Sequence, residues 1–166
     1  LEWMAPALAK VDPSEVAKLG AELTPVGAEK AGNAAGTIPA WDGGMKSAPA
    51  CYKGGEFLCN PYADDKPQFV ITAQNFEQYK ANLTPGQIAM MQKYPQTYKL
   101  PVYQTRRTAT WPDHIVELTK KNAVETETVG ATGLKGLNLQ GYPFPIPKNG
   151  LEVIWNHIGR YRGDSL

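Results

Sequence analysis

The stretch "GYPFPIPKNGLEVIWNH", Gly141 to His157, alternates three prolines with a tyrosine, a phenylalanine and an isoleucine, then starts a helix. Pro143, Pro145 and Pro147 each hold φ at about −65° and remove a backbone donor. They pre-order an extended strap that cannot join the centre of a sheet. By a period of two, Tyr142, Phe144 and Ile146 share one side, so the strap offers an apolar edge at low ordering cost. Two readings follow. The strap seals the domain's own core ahead of the helix, or it forms a lip toward a lipid or a partner.

The helix after the strap carries the strongest signal in the chain. Asn149 stands at the cap with Glu152 three residues on, and Leu151, Ile154, Trp155 and Ile158 fall at i, i+3, i+4 and i+7. Glu152, Asn156 and Arg160 form a polar stripe opposite Trp155, of the kind that is usually solvated.

Working outward, four more helices are predicted. "TPGQIAMMQKY" has Thr84 as cap, Pro85 in first position and Gln87 closing the box, with Ile88 and Met91 inward and Pro95 as the stop. "TAQNFEQYKANL" places Phe76, Tyr79 and Leu83 on one face behind Thr72 as cap, giving a helical hairpin hinged at Leu83–Thr84. A further helix opens at Trp111–Pro112 and runs to about Asn122, burying Ile115 and Leu118. Near the start, Asp12, Pro13 and Glu15 begin a short helix that Gly20 stops. "PVYQTRRTA" and "NAVETETVG" alternate and read as extended or strand segments.

From Thr24 to Pro67 no period holds. Sixteen glycines and fourteen prolines make up about 18% of the chain, against a usual ~12%. Trp41, Tyr52, Phe57 and Tyr62 nonetheless argue against disorder there. The fold class is therefore α+β: several short helices, long irregular Gly/Pro-rich segments and a few strands. Residues 1–9 read as the remnant of an export signal, ending in Ala7-Leu8-Ala9, or as a junction; an Ala-rich linker is the alternative. Residues 10–67 form an irregular leader, and 68–166 the helical and extended part of a larger domain.

"ACYKGGEFLC" holds both cysteines, Cys51 and Cys59, around the Gly54–Gly55 turn. A disulfide is expected and would mean an oxidising compartment. Free buried thiols and a metal site are the alternatives, the latter disfavoured because no histidine lies nearby.

The remaining chemistry is sparse. A formal net charge of +1 gives no field directed at nucleic acid. There is no nucleophile elbow, phosphate-cradling loop or metal-binding histidine pair. His114 and His157 stand far apart, and the carboxylates of Asp64 and Asp65 are adjacent and point apart. No catalytic residue, metal or cofactor is expected. Arg106 and Arg107, in an otherwise apolar extended segment, are candidates to pin an anion, with ordinary ion pairs as the alternative. No stretch is long and apolar enough to span a bilayer.

"YPQTYKLPVYQTRRTATWP", "KNA", "GYPFPIPKNGLEVIWNH" and "RYRG", with the leader "GAELTPVGAEKAGNAAGTIPAWDGG", resemble an uncharacterised bacterial family of outer-membrane lipoprotein-sorting-like proteins. The resemblance spans Lys10 to Gly163. It implies an exported, periplasmic protein of the LolA/LolB kind, whose curved antiparallel sheet, an open barrel, wraps an apolar cavity closed by helices. This chain would be the N-terminal portion of such a protein. Family members are often encoded beside efflux pumps of the resistance–nodulation–division type and an outer-membrane partner.

The function expected is a non-catalytic periplasmic carrier for a lipid-like or hydrophobic molecule, working with an envelope transporter. Tyr142, Phe144, Ile146 and Trp155 would form the apolar wall or lid. The alternative is an interaction subunit that docks onto a transporter or outer-membrane protein, with Thr24–Pro67 as an arm ordered on contact. A hydrolase acting on glycans or lipids is the third.

Overall fold

The structure is a computed structural model, and it describes residues 11–55, 58–138 and 140–163. The expected export-signal remnant at residues 1–9, and Phe57, lie outside the described residues. The fold is α+β, with four α-helices, one 3-10 helix and two separate two-stranded antiparallel ladders among the described residues. No larger curved sheet is formed by them. The chain divides into two compact units, Leu1–Lys46 with Arg107–Leu166, and Ser47–Arg106. This division cuts through the leader expected over 10–67.

In the second unit, β1 (Phe69–Ile71) pairs with β2 (Leu100–Val102), setting Val70 opposite Pro101. Its core is Ile71, Phe76 and Met91, with Tyr79, Leu83, Ile88, Tyr98, Leu100 and Val102 packed around them. Helix α2 (Pro85–Lys93) starts as expected: Thr84 and Gln87 form a reciprocal capping box behind Pro85. The segment before it is a 3-10 helix over Phe76–Asn82, not an α-helix. Its cap also differs. The side chain of Thr72 accepts from Gln74 N–H, while Asn75 turns its amide back to Val70 and Thr72. That local bonding competes with a regular helix start.

In the first unit, α1 is a single turn, Pro13–Val16, with the Asp12 carboxylate accepting from Ser14 N–H at 2.8 Å. It packs against α3 (Asp113–Glu125). Helix α3 runs past the expected end at Asn122, so the strand read from "NAVETETVG" shrinks to β3 (Glu127–Val129), paired with β4 (Gly133–Lys135). Ile115 is fully buried as expected, but its inward companions are Thr119, Asn122 and Ala123, with Leu118 only half-buried. Helix α4 spans Gly150–Gly159 behind the expected Asn149 cap, whose side chain accepts from Glu152 N–H.

The leader within this unit is not a loose arm. Arg107 donates to the backbone carbonyls of Glu29, Lys30, Ala31 and Pro39. Trp41 donates its indole N–H to the Ala109 carbonyl at 2.8 Å, and Met45 N–H bonds the Thr108 carbonyl. One charged fork thus gathers four carbonyls that no regular ladder satisfies, which fixes residues 29–39 in place.

Candidate functional site

The proline strap is built into the core of the first unit. Pro143 and Pro145 are fully buried and Phe144 is 8% exposed, while Tyr142 and Ile146 are half-buried. Having lost ladder donors to proline, the strap is satisfied by side chains from the helices on either side. From α3, the Thr119 hydroxyl accepts from Tyr142 N–H at 3.0 Å, and Asn122 donates to the Tyr142 carbonyl at 3.2 Å. From α4, Asn156 accepts from Phe144 N–H at 2.8 Å and donates to the Phe144 carbonyl at 2.6 Å. The Glu152 carboxylate accepts from Lys148 N–H and from the Asn149 amide. Each buried strap donor or carbonyl so paired avoids a desolvation cost of about 1–3 kcal/mol.

Glycines allow this close approach. Gly27 sits at φ 90°, and any Cβ there would run into the Pro145 carbonyl oxygen. A Cβ at Gly141 would lie 2.7 Å from the Asn122 amide nitrogen and 2.8 Å from α3 backbone.

The orientation of α4 follows, and it is turned away from the face expected. Glu152 is 5% exposed and Asn156 half-buried, so the stripe read as solvated turns inward. Ile154 and Ile158 are 58% and 55% exposed, with Val153 at 54%. Leu151 and Trp155 are half-buried at the edge of this apolar face. The cause is the strap's unpaired backbone, which only the polar side of the helix can satisfy. The Trp155 indole N–H is buried with no hydrogen-bond acceptor among the described residues.

Of the four residues expected to form a wall or lid, Phe144 is therefore inside the core, and Trp155 borders the outward apolar face. Tyr142 is held in an aromatic cluster: its hydroxyl accepts from the Trp111 indole N–H at 3.2 Å, and Trp111 lies 6.1 Å from Trp41. The candidate site instead centres on Leu151, Ile154 and Ile158. Beyond α4 the chain turns to line an open depression with Gln140, Ile158, Arg160, Tyr161 and Arg162.

The two arginines singled out as anion contacts are both engaged by the chain itself. Arg107 holds the leader, as above. In the second unit, Arg106 grips the Asp65 carboxylate at 2.8 Å through one guanidinium nitrogen and 3.1 Å through another, and lies over the Tyr62 ring at 4.7 Å. Cys51 and Cys59 form the expected disulfide, with Cα atoms 6.0 Å apart. Among the described residues, no cluster of His, Cys, Asp and Glu is placed to hold a metal ion, and no helix is long and apolar enough to cross a membrane.

The sequence places Asn156 on a stripe read as solvated and gives Thr119 and Asn122 no inward role, yet all three turn to the strap. A signal existed: a strap with alternate donors deleted cannot pair in a sheet, so polar side chains on flanking helices must turn inward.

The chain is 57% identical over 160 residues to an uncharacterised protein of Pseudomonas aeruginosa, covering 96% of this chain and 35% of that protein. The chain thus spans about a third of the length of the curated relative it matches. No solved structure matches. The DUF1329 family, described as protein of unknown function, matches residues 70–166, which include the strap and α4. On that match over more than half its length, the chain belongs to the DUF1329 family.

Proposed function

We propose that this protein is an exported, non-catalytic binding protein for a hydrophobic or lipid-like molecule, and that the outward face of α4 is its contact surface. The observation that carries the reading is the outward setting of part of the apolar face of α4. Three branched aliphatic side chains, Val153, Ile154 and Ile158, are each more than half exposed on a helix whose polar side is locked to a rigid strap. An apolar patch held on fixed backbone is costly to leave in water and suits a hydrophobic partner. The Cys51–Cys59 disulfide fits an oxidising compartment, in keeping with export to the periplasm. Relationship to the LolA/LolB carriers, and work with an envelope transporter, belong to the same reading.

Nile red titration tests it. The wild-type chain is expected to bind the dye saturably, and the Ile154→Ser/Ile158→Ser variant to lose that binding while unfolding at an unchanged denaturant midpoint. Non-saturable fluorescence, equal in both proteins, would sink the reading.

A second reading treats the same face as a protein interface, with a transporter or outer-membrane protein as partner. It is favoured by the same exposed aliphatic side chains, Val153, Ile154 and Ile158, which suit a protein interface as well as a small ligand. Under this reading the double variant loses co-purification with the partner, and the isolated chain binds no dye.

A further inference from the structure

The apolar face of α4 does not end in solvent. Ile158, its last aliphatic residue, also lines the depression formed with Gln140, Arg160, Tyr161 and Arg162. Leu151, Ile154 and Ile158 follow one another along about 10 Å of helix. An apolar strip therefore reaches a depression whose lining includes two arginines.

Two further facts bear on that pocket. Neither arginine pairs with a carboxylate among the described residues. Arg160 donates to the His157 carbonyl and lies 3.3 Å from His157 Nδ1, both within its own helix end. Arg162 is exposed. Gln140, on the other side, is the single non-glycine residue at positive φ among those described, at 73°. Backbone held in the left-handed region by a side chain other than glycine is strained, and such strain gathers where ligands bind.

We infer that the depression takes the anionic head group of a single-chain acidic lipid, with Arg160 and Arg162 as the head-group contacts and the acyl or alkyl chain lying along Ile158, Ile154 and Leu151. Arginine suits this role because its planar fork presents paired N–H donors to a carboxylate or phosphate. Charge complementarity decides among ligands of equal length: an acidic head gains contacts in the pocket that a neutral head lacks. This deepens the proposed function and rests on it, since the chain-binding strip is the same α4 face.

Displacement of Nile red by three probes, each below its micelle concentration and at low salt, separates the outcomes. Dodecyl phosphate is expected to displace the dye with at least tenfold lower Kd than dodecyl glucoside, and inorganic phosphate not to displace it. Arg160→Gln and Arg162→Gln, with unfolding midpoints unchanged, should each weaken dodecyl phosphate several-fold and leave dodecyl glucoside as it was. Equal displacement by both dodecyl compounds, unaffected by the arginine substitutions, would overturn the head-group assignment and leave the hydrophobic site standing. Direct calorimetric binding of inorganic phosphate as tight as that of dodecyl phosphate would also overturn it, because the chain would then contribute nothing. Absence of saturable dye binding to the wild type would remove both proposals.

Discussion

The side-chain amide of Asn156 on α4 meets both backbone groups of Phe144, accepting from its N–H at 2.8 Å and donating to its carbonyl at 2.6 Å. One side chain thereby does the work of a neighbouring strand for a segment that prolines exclude from sheets. It also dictates which face of α4 looks outward.

Asn156→Ala should therefore leave two strap groups without partners and destabilise the first unit by about 2–4 kcal/mol. Asn156→Asp keeps the acceptor but sets a carboxylate oxygen against the Phe144 carbonyl, so it should destabilise at least as much as alanine. Urea unfolding followed by tryptophan fluorescence gives the order; equal stability of all three would refute the bridging role.

Gly27 and Gly20 provide a paired test of close packing. Both have positive φ, 90° and 87°, but only Gly27 faces the Pro145 carbonyl, while nothing lies within 4 Å of a Cβ at Gly20. Gly20→Ala should cost about 1–2 kcal/mol from backbone strain alone. Gly27→Ala adds a backbone clash, and its unfolding midpoint should fall distinctly further.

The adjacent arginines should differ in effect. Arg107 serves four carbonyls of the leader, whereas the Arg106–Asp65 pair is partly exposed, at 43% and 28% for the two side chains. Arg107→Ala is expected to cost about 2–4 kcal/mol through lost charge-assisted hydrogen bonds. Arg106→Ala should cost under about 1 kcal/mol, as solvent screens such pairs. The Arg107 variant should also expose residues 29–39 to protease.

Acid should loosen the tie between α1 and the strap. The hydrogen bond from Lys148 Nζ to Glu15 at 2.7 Å holds the Glu15 carboxyl below the ordinary carboxylate range. A depressed folded pKa stabilises above the unfolded pKa and is lost as pH falls through the folded value. Wild type should thus lose stability relative to Glu15→Gln as pH drops below the normal glutamate pKa, with the difference constant near neutrality. A gap that instead widens with falling pH would contradict the pairing.

Reduction of Cys51–Cys59 removes a short cross-link. Its loss should lower the stability of the second unit by about 2–3 kcal/mol. The denaturant midpoint with and without reductant, set beside a Cys51→Ser/Cys59→Ser variant, checks this.

Much of the architecture could be read from local chemistry. The Thr84–Gln87 capping box, the Asn149 cap of α4 and the Cys51–Cys59 bridge all rest on near-neighbour rules, and all are present. The departures arise where distant backbone competes. Phe76–Asn82 tightened to a 3-10 helix because Asn75 bonds back to Val70. Amphipathic periodicity identified α4 but missed the turn that sets Ile154 and Ile158 outward, since periodicity locates an apolar face without saying what the polar face must satisfy. The core role of Phe144 and the outward setting of Ile154 and Ile158 follow from that one demand.

The most direct measurement is native mass spectrometry of gently purified protein, wild type and Ile154→Ser/Ile158→Ser, before and after denaturation. The account predicts a mass excess on the wild type that disappears on denaturation and is absent from the variant. The bare chain mass in both proteins, or the same excess on both, would contradict the claim that the outward face of α4 holds a hydrophobic ligand.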